Sequence, residues 1–315
     1  MTRPRLLLLD SASLYFRAFY GVPDPRDSPD QPPSNAVRGF LDMIATLVHR
    51  HQPTHLAACW DNDWRPAFRV AAIPSYKTHR IAAGADPSAA GAPAEDVPGE
   101  LGPQVPVIAQ ALAALGLARV GVDGFEADDV IGALAVRHRG EYAVDVVTGD
   151  RDLFQLVDDA RFVRVVYTAR GGVRDADLVD EAFLQERYAV SNGAAYLDLA
   201  VLRGDSSDGL PGVAGVGEKT AARLLAQYGD LAGLRRAIDA GDPGIKGALR
   251  ARLEAAAAYL DVAPAVVRVA VDAPLPQVDL RVPTRVADPS AMSRLALDYD
   301  LTGPFGRVVS ALRLG

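Results

Sequence analysis

Nine acidic residues, Asp10, Asp61, Glu126, Asp128, Asp129, Asp150, Asp152, Asp205 and Asp208, lie in five separated segments of this chain, each beside an apolar run or a glycine turn. Carboxylates repel one another, so a fold that gathers this many from distant segments generally does so to hold hard divalent cations. The chemistry to expect is a metal-dependent reaction at phosphate. The same residues bear on overall charge. A net charge of −7 and a pI near 5.3 argue at first against a nucleic-acid partner. Setting the nine aside turns the balance from −7 to +2, so global acidity does not exclude DNA.

Three apolar runs deliver aspartates to one place. Residues 6–9 precede Asp10, residues 56–60 precede Asp61, and residues 144–147 lead through Thr148 and Gly149 to Asp150. Short runs bounded by turn signals and separated by helical patterns predict the α/β class. Its mostly parallel central sheet, flanked by helices, would place a ligand crevice at the carboxyl ends of the strands. A single aspartate after a strand is commonly a helix cap; three at one sheet edge are harder to obtain by chance. Periodicity predicts helices over 36–49, 105–115, 129–138 and 177–188. Residues 23–34 read as a proline-rich loop, and 81–102, rich in Ala, Gly and Pro, as a mobile or partly helical insertion. From 196 the texture changes to short helices joined by glycine turns. The predicted organisation is a catalytic domain over 1–195 with an insertion near 81–104, a helical module over 196–260, and a segment over 261–315 that packs back on the main body.

Three strings carry the chemistry. GFEADDVIGALA, residues 124–135, sets three carboxylates around a helix start, more than capping requires although the helix dipole favours acids there. TGDRDLFQLV, residues 148–157, follows the third strand with two aspartates one residue apart. GDSSDGLPGVAGVGEKTAARLLAQYG, residues 204–229, places Gly212, Gly215 and Gly217 in a tight turn before Lys219 and a helix over 220–228, exposing backbone N–H groups that suit phosphate. Glu218 between Gly217 and Lys219 breaks the P-loop pattern. A helix-hairpin-helix that grips a DNA backbone fits better. Residues 201–252 hold eight Lys or Arg against six Asp or Glu, and Arg203, Lys219 and Arg223 flank the hairpin as phosphate contacts, with Thr220 opening the helix.

At these residues the chain resembles the bacterial flap endonucleases, the 5′ nucleases also found at the N-terminus of DNA polymerase I. The strings DSASLYFRAFYGVP (10–23), PPSNAVRGF (32–40), CWDNDWRPAFR (59–69), PSYKTHR (74–80), GFEADD, TGDRDLFQLV and GDSSDGLPGVAGVGEKTA carry the resemblance in order over nearly the whole sequence. It implies a PIN-like nuclease domain, an H3TH-type module, and two Mg²⁺ or Mn²⁺ sites. Asp10, Asp61, Glu126 and Asp128 would surround the first, with Asp129 close by; Asp150, Asp152, Asp205 and Asp208 would surround the second. It also implies K⁺ at backbone carbonyls around 210–217, and Lys77, Arg80 and Arg17 as residues that steer the scissile phosphate. The implied partner is DNA with a free 5′ end, as flaps, nicks or RNA-primed fragments. With no residues left over for a polymerase, a stand-alone nuclease is expected. One departure stands out: between Arg80 and Arg119, where the family arches over a flap, there is no Lys or Arg, only Asp86, Glu95, Asp96 and Glu100 among charged residues.

Other readings are weaker. A metal-dependent phosphatase would leave the hairpin idle, and a non-catalytic DNA-structure binder would not need the acidic set. His49, His51 and His55 read as polar residues at a helix end and loop, and Cys59 as core; as the one cysteine in the sequence it excludes an internal disulfide and a Cys-based zinc site. Tyr15, Phe16, Phe19 and Tyr20 read mostly as core rather than as base-stacking platforms. The first strand is too short for a signal peptide and no run reaches spanning length, so a cytoplasmic, nucleoid-associated protein without a membrane partner is expected.

Overall fold

The computed structural model describes residues 3–28, 30–86 and 93–314. Six strands form one sheet: β1 (Arg5–Asp10), β2 (His55–Trp60), β3 (Ala118–Gly121), β4 (Ala143–Thr148), β5 (Val163–Tyr167) and β6 (Asp177–Val179). Their order is β3-β2-β1-β4-β5-β6, all parallel except β6 against β5. The chain winds outward through β2 and β3, then crosses to the other side of β1, so the switch in winding direction falls between β1 and β4. Ligands of open parallel sheets bind outside the strand ends at such a switch.

Helices cover both faces, which explains why the strands are continuous apolar runs rather than alternating ones. In β1, Leu6 and Leu8 face one core and Leu7 and Leu9 the other. The first core is closed by α5 (Ala127–His138), α7 (Gly193–Arg203), α8 (Glu218–Tyr228), α9 (Leu231–Asp239) and α11 (Ala257–Val267). The second is closed by α1 (Ser11–Gly21), α2 (Asn35–His51), α4 (Gln104–Leu115), α12 (Pro289–Asp298) and α13 (Thr302–Leu312). Short α3 (Ala67–Ala72), α6 (Glu181–Tyr188) and α10 (Gly247–Ala255) complete the chain. α2 lacks a side-chain cap of its own at Ser34. The fully buried Gln104 of α4 supplies it, its Oε1 accepting from Ala36 N at 2.8 Å.

The strand-end aspartates lie where the pattern put them, and α2, α4 and α5 differ from the predicted spans only at their ends. The 177–188 helix does not form as one piece. Residues 177–179 pair with β5, and Asp180 caps a shorter α6 by accepting from Phe183 N at 2.8 Å. Of the 81–102 insertion, residues 87–92 lie outside the described residues. The flanking parts pair with each other, Ile81 against Glu95, and hold no α-helix. Cys59 is core. α12 packs on α4 and α13 on α2, returning the last segment to the sheet domain. No helix among the described residues is long and apolar enough to cross a membrane.

At the opposite end of the sheet, the buried Asp145 of β4 is held by Arg5, by Arg164 Nε at 2.7 Å and by His51 Nδ1 at 3.1 Å. Although burial works the other way, hydrogen bonds from His51 and Arg164 hold its pKa at about 2. Asp145→Ala removes these charge-assisted hydrogen bonds while leaving Arg5 and Arg164 partly solvated, so it should lower unfolding free energy by about 1.5–3 kcal/mol in urea titrations. Because the folded pKa lies below the unfolded 3.8, the wild-type contribution persists at neutral pH and is lost only as pH falls towards 2.

Candidate active site

A crevice of about 600 Å³ opens at the carboxyl ends of β1, β2 and β4, lined by Asp10, Asp61, Glu126, Asp128, Asp150 and Asp205, with Lys77, Arg80 and Glu95 at its wall. Asp10, Asp61, Asp150 and Asp205 share one construction. One oxygen of each is fixed by a backbone amide: Asp10 by Ser13 N at 3.1 Å, Asp61 by Ala127 N at 2.8 Å, Asp150 by Asp152 N at 2.9 Å, Asp205 by Ser207 N at 2.8 Å. Capping and site-building are thus done by the same side chains. The second oxygen is left to the crevice or to a side chain: Asp10 Oδ2 accepts from Thr148 Oγ1 at 2.6 Å and Asp205 Oδ2 from Arg151 Nη2 at 3.2 Å.

Crowding and burial oppose ionisation here. Burial, reinforced by Asp61 and Asp150, pushes Asp10 up to about 7, and burial, reinforced by Glu126, pushes Asp61 up to about 6. Asp128 is raised well above the carboxylate range by burial and then by Asp10 and Asp150. Asp152 is raised likewise by burial and then by Asp150, Asp208 and Asp205. Asp205, although part-buried, is held low by Ser207 and Arg151. Asp152 Oδ1 is buried without a hydrogen-bond partner. An orphaned oxygen among mutually repelling carboxylates is what a hard cation would satisfy, so the donor set fits divalent ions.

The carboxylates stand apart rather than in a closed coordination shell. Among the described residues no three His, Cys, Asp or Glu side chains are placed to enclose an ion. Protein cations take that part instead. Glu126 is bound by Lys77 Nζ, by Tyr76 OH at 2.9 Å and by Arg69 Nη1 at 2.6 Å. Asp208 is bound by Arg80 Nη2 at 3.0 Å. Lys77 stays charged: burial acts against its ammonium, but Glu126, Tyr76, Asp208 and Asp128 together hold the pKa well above the ordinary range.

Three expected site residues lie elsewhere. Asp129 is fully buried, with its Oδ1 and Oδ2 each 2.7 Å from Arg69 and further contacts to Glu126 N at 3.1 Å and Ala270 N at 2.7 Å. Its oxygens are saturated, so it is a structural anchor rather than a ligand in this arrangement. Arg17 points its guanidinium at the carbonyls of Thr168 and, at 2.6 Å, Ala169, not at the crevice. The Arg203 guanidinium is largely covered, 6.0 Å from the Tyr196 ring centroid and 3.9 Å from Glu218, so it does not offer a surface phosphate contact. By contrast Gly215, Gly217, Lys219 and Arg223 are exposed around the start of α8, with Thr220 partly so. Gly212 turns at φ +64, where a Cβ would stand 2.4 Å from Arg203 O. Arg69 is a site residue that sequence reasoning does not single out; only its place in CWDNDWRPAFR hints at a role. Of the aromatics, Tyr15 and Phe16 line the crevice and Tyr20 is 73% exposed, so these are not simply core.

A parallel α/β sheet with an acidic crevice at its switch point, beside a glycine-turn helical unit, defines a nuclease-type phosphodiesterase architecture. Residues 5–189 match the family model for the 5′-3′ exonuclease N-terminal resolvase-like domain, and residues 191–288 that for the 5′-3′ exonuclease C-terminal SAM fold. A 5′-3′ exonuclease of Streptomyces coelicolor is 56% identical over 97% of this chain and 99% of its own length. One from Mycobacterium tuberculosis is 49% identical over 98% of each. Among solved structures, a bacteriophage T5 flap endonuclease in complex with DNA and metal ions superposes with a TM-score of 0.62 at 18% identity, over 98% of this chain and 99% of that one. The chain belongs to the 5′-3′ exonuclease family.

Asp129→Ala, which takes from the buried Arg69 one of its two carboxylate partners, should destabilise the fold by about 3 kcal/mol in chemical denaturation, whereas Asp128→Ala, which relieves repulsion, should leave stability unchanged or raise it. A second expectation concerns pH. Folded Asp10 and Asp61 keep protons up to about 7 and about 6, while the unfolded chain loses them near 3.8. The folded state therefore binds more protons in that window, and their contribution to stability falls as pH rises through it. His55 and His138, with lowered pKa, act oppositely, so the cleaner readout is the gain in Tm on adding Mn²⁺. That gain should be several degrees larger at about pH 8 than at about pH 5.5.

Proposed function

We propose that this protein is a structure-dependent DNA nuclease that cuts phosphodiester bonds near a free 5′ end, as a 5′-to-3′ exonuclease and 5′-flap endonuclease, with two or more Mg²⁺ or Mn²⁺ ions as cofactors. The observation that carries the reading is the convergence of carboxylates from five chain segments on one crevice that also presents Lys77 and Arg80. In this reading Asp10, Asp61, Glu126 and Asp128 would hold one ion, and Asp150, Asp152, Asp205 and Asp208 another. Bound divalent ions would neutralise phosphate charge and acidify a water molecule.

The chain's own groups do the rest. Lys77 brings a positive charge to the crevice, so its part is electrostatic. Arg80, partly exposed beside Asp208, can turn to a phosphate oxygen. Both would exchange a protein carboxylate for the scissile phosphate. The aspartates act as ligands, not nucleophiles, so no covalent intermediate forms and the products carry a 5′-phosphate and a 3′-hydroxyl. The start of α8 offers backbone N–H groups and Lys219 to the duplex backbone, which positions without reading sequence. A K⁺ ion at carbonyls of 210–217 rests on the family resemblance alone. Nicks, flaps and RNA-primed DNA are the substrates assigned, in the cytoplasm with chromosomal DNA. With Glu95 at the crevice wall and no Lys or Arg between Arg80 and Arg119, the arch region offers a flap no strong electrostatic grip.

A labelled 5′-flap duplex incubated with Mn²⁺ should be cut by the wild type, with loss of cleavage by at least about 10²-fold in Asp150→Ala or with chelator. Undiminished cleavage by the variant, or in chelator, contradicts the reading. Lys219→Ala should weaken duplex affinity and reduce the slope of log affinity against log salt by about 1, which a salt titration reads.

A further inference from the structure

Five hydrogen bonds converge on residues 266–270, the end of α11 and the strap that leaves it. Arg69 Nε donates to Val266 O at 2.9 Å and its Nη2 to Arg268 O at 3.4 Å. Gln155 Nε2 donates to Val267 O at 3.0 Å, and its Oε1 accepts from Val269 N at 3.0 Å. Asp129 Oδ1 accepts from Ala270 N at 2.7 Å. The side chains of Val266 and Val269 are buried, and Val269 packs so closely on α5 that a Cβ at Gly132 would come within 2.6 Å of it.

The two side chains at the ends of this network, Asp129 and Gln155, each stand beside one half of the acidic set. Asp129 is on α5 directly after Asp128. Gln155 is one turn after Asp152 and also donates to Asp152 O at 2.9 Å. In the other direction, α11 packs on α7, and Tyr259 OH donates to Val201 O at 3.1 Å. α7 packs against α8 and runs directly into Asp205 and Asp208. One short backbone segment, continuous with α11 of the helical unit, is therefore bonded to Asp129, beside Asp128, and to Gln155, which is itself bonded to the Asp152 backbone.

We infer that the 266–270 strap couples the helical unit to the carboxylate crevice, and that Gln155 is the positioning residue through which the strap fixes Asp152. The inference deepens the divalent-ion reading above and rests on it. Asp152 Oδ1 has no partner of its own, and Asp150, Asp205 and Asp208 repel it. What sets its direction is the anchoring of its backbone. Loss of such a supporting contact typically costs about 10–100-fold in metal affinity. Coupling of this kind is reciprocal: duplex held at the helical unit tightens ion binding, and ions tighten duplex binding by the same factor.

The test is calorimetric titration of Mn²⁺ into the full chain, alone and with a closed dumbbell duplex that offers no 5′ end. Wild type is compared with Gln155→Leu, with Gln155→Glu, which keeps the acceptor for Val269 N, and with Leu184→Ala as a control for lost stability away from the strap. Gln155→Leu should bind the dumbbell like wild type in chelator, bind Mn²⁺ about tenfold more weakly, and lose the gain in Mn²⁺ affinity that the dumbbell gives the wild type. Gln155→Glu should fall between, and it carries the test if the leucine variant does not fold. Leu184→Ala should lower Tm and leave the isotherm unchanged. Wild-type isotherms in both Gln155 variants, with the dumbbell gain intact, overturn the inference while leaving the nuclease reading standing. A wild type that binds no Mn²⁺ overturns both.

Discussion

Repulsion among carboxylates that the fold forces together is the interaction on which the rest depends. Each strand-end aspartate gives one oxygen to a backbone amide and so is fixed in place by the local chain, whatever its charge. The other oxygen is left to the crevice or, at Asp10, to Thr148 Oγ1. Burial first, and this repulsion second, raise the pKa of Asp10, Asp61, Asp128 and Asp152. The repulsion is tolerated because Lys77 and Arg69, both buried, and Arg80 and Arg151, partly exposed, supply positive charge around it. A fold built this way is poised to exchange internal cations for external ones, and that exchange lets a phosphate enter with its own negative charge.

The buried Arg69 makes this poise mechanically possible. Its guanidinium bridges Glu126 and Asp129, with both acids covered. Buried ion pairs add little net stability compared with an apolar core, but losing one partner is expensive. The pair thus acts as a register mark between α3, the start of α5 and the end of α11. The carboxylates can repel without pulling the strand ends apart because this pair and the amide caps hold the backbone beneath them.

Much of this is legible in the chain. A leucine run before Asp10, a second run before Asp61 and a valine run before Asp150 are consequences of strands buried on both faces, and that pattern survives folding without help from tertiary detail. β3, β5 and β6 leave no such signal, being short or partly polar, and residues 177–179 look helical because their side chains alternate too briefly to show a period of two. Within the site, type and spacing locate the carboxylates but do not say which are already satisfied. Asp128 and Asp129 are adjacent and chemically alike, yet one faces the crevice and the other faces Arg69. That difference depends on which side of a helix meets α3 and the strap, contacts made by residues far away in sequence. Arg17 and Arg203 depart from expectation for the same reason, since long side chains reach backbone carbonyls or ring faces that a motif does not display.

The most direct measurement is manganese anomalous scattering from crystals grown with Mn²⁺. The account predicts anomalous peaks in the crevice bonded to oxygens of Asp10, Asp128 and Asp150, with Lys77 withdrawn from Glu126. Peaks confined to the outer surface, with Lys77, Arg80 and Arg151 still paired to the same carboxylates at saturating Mn²⁺, would contradict it.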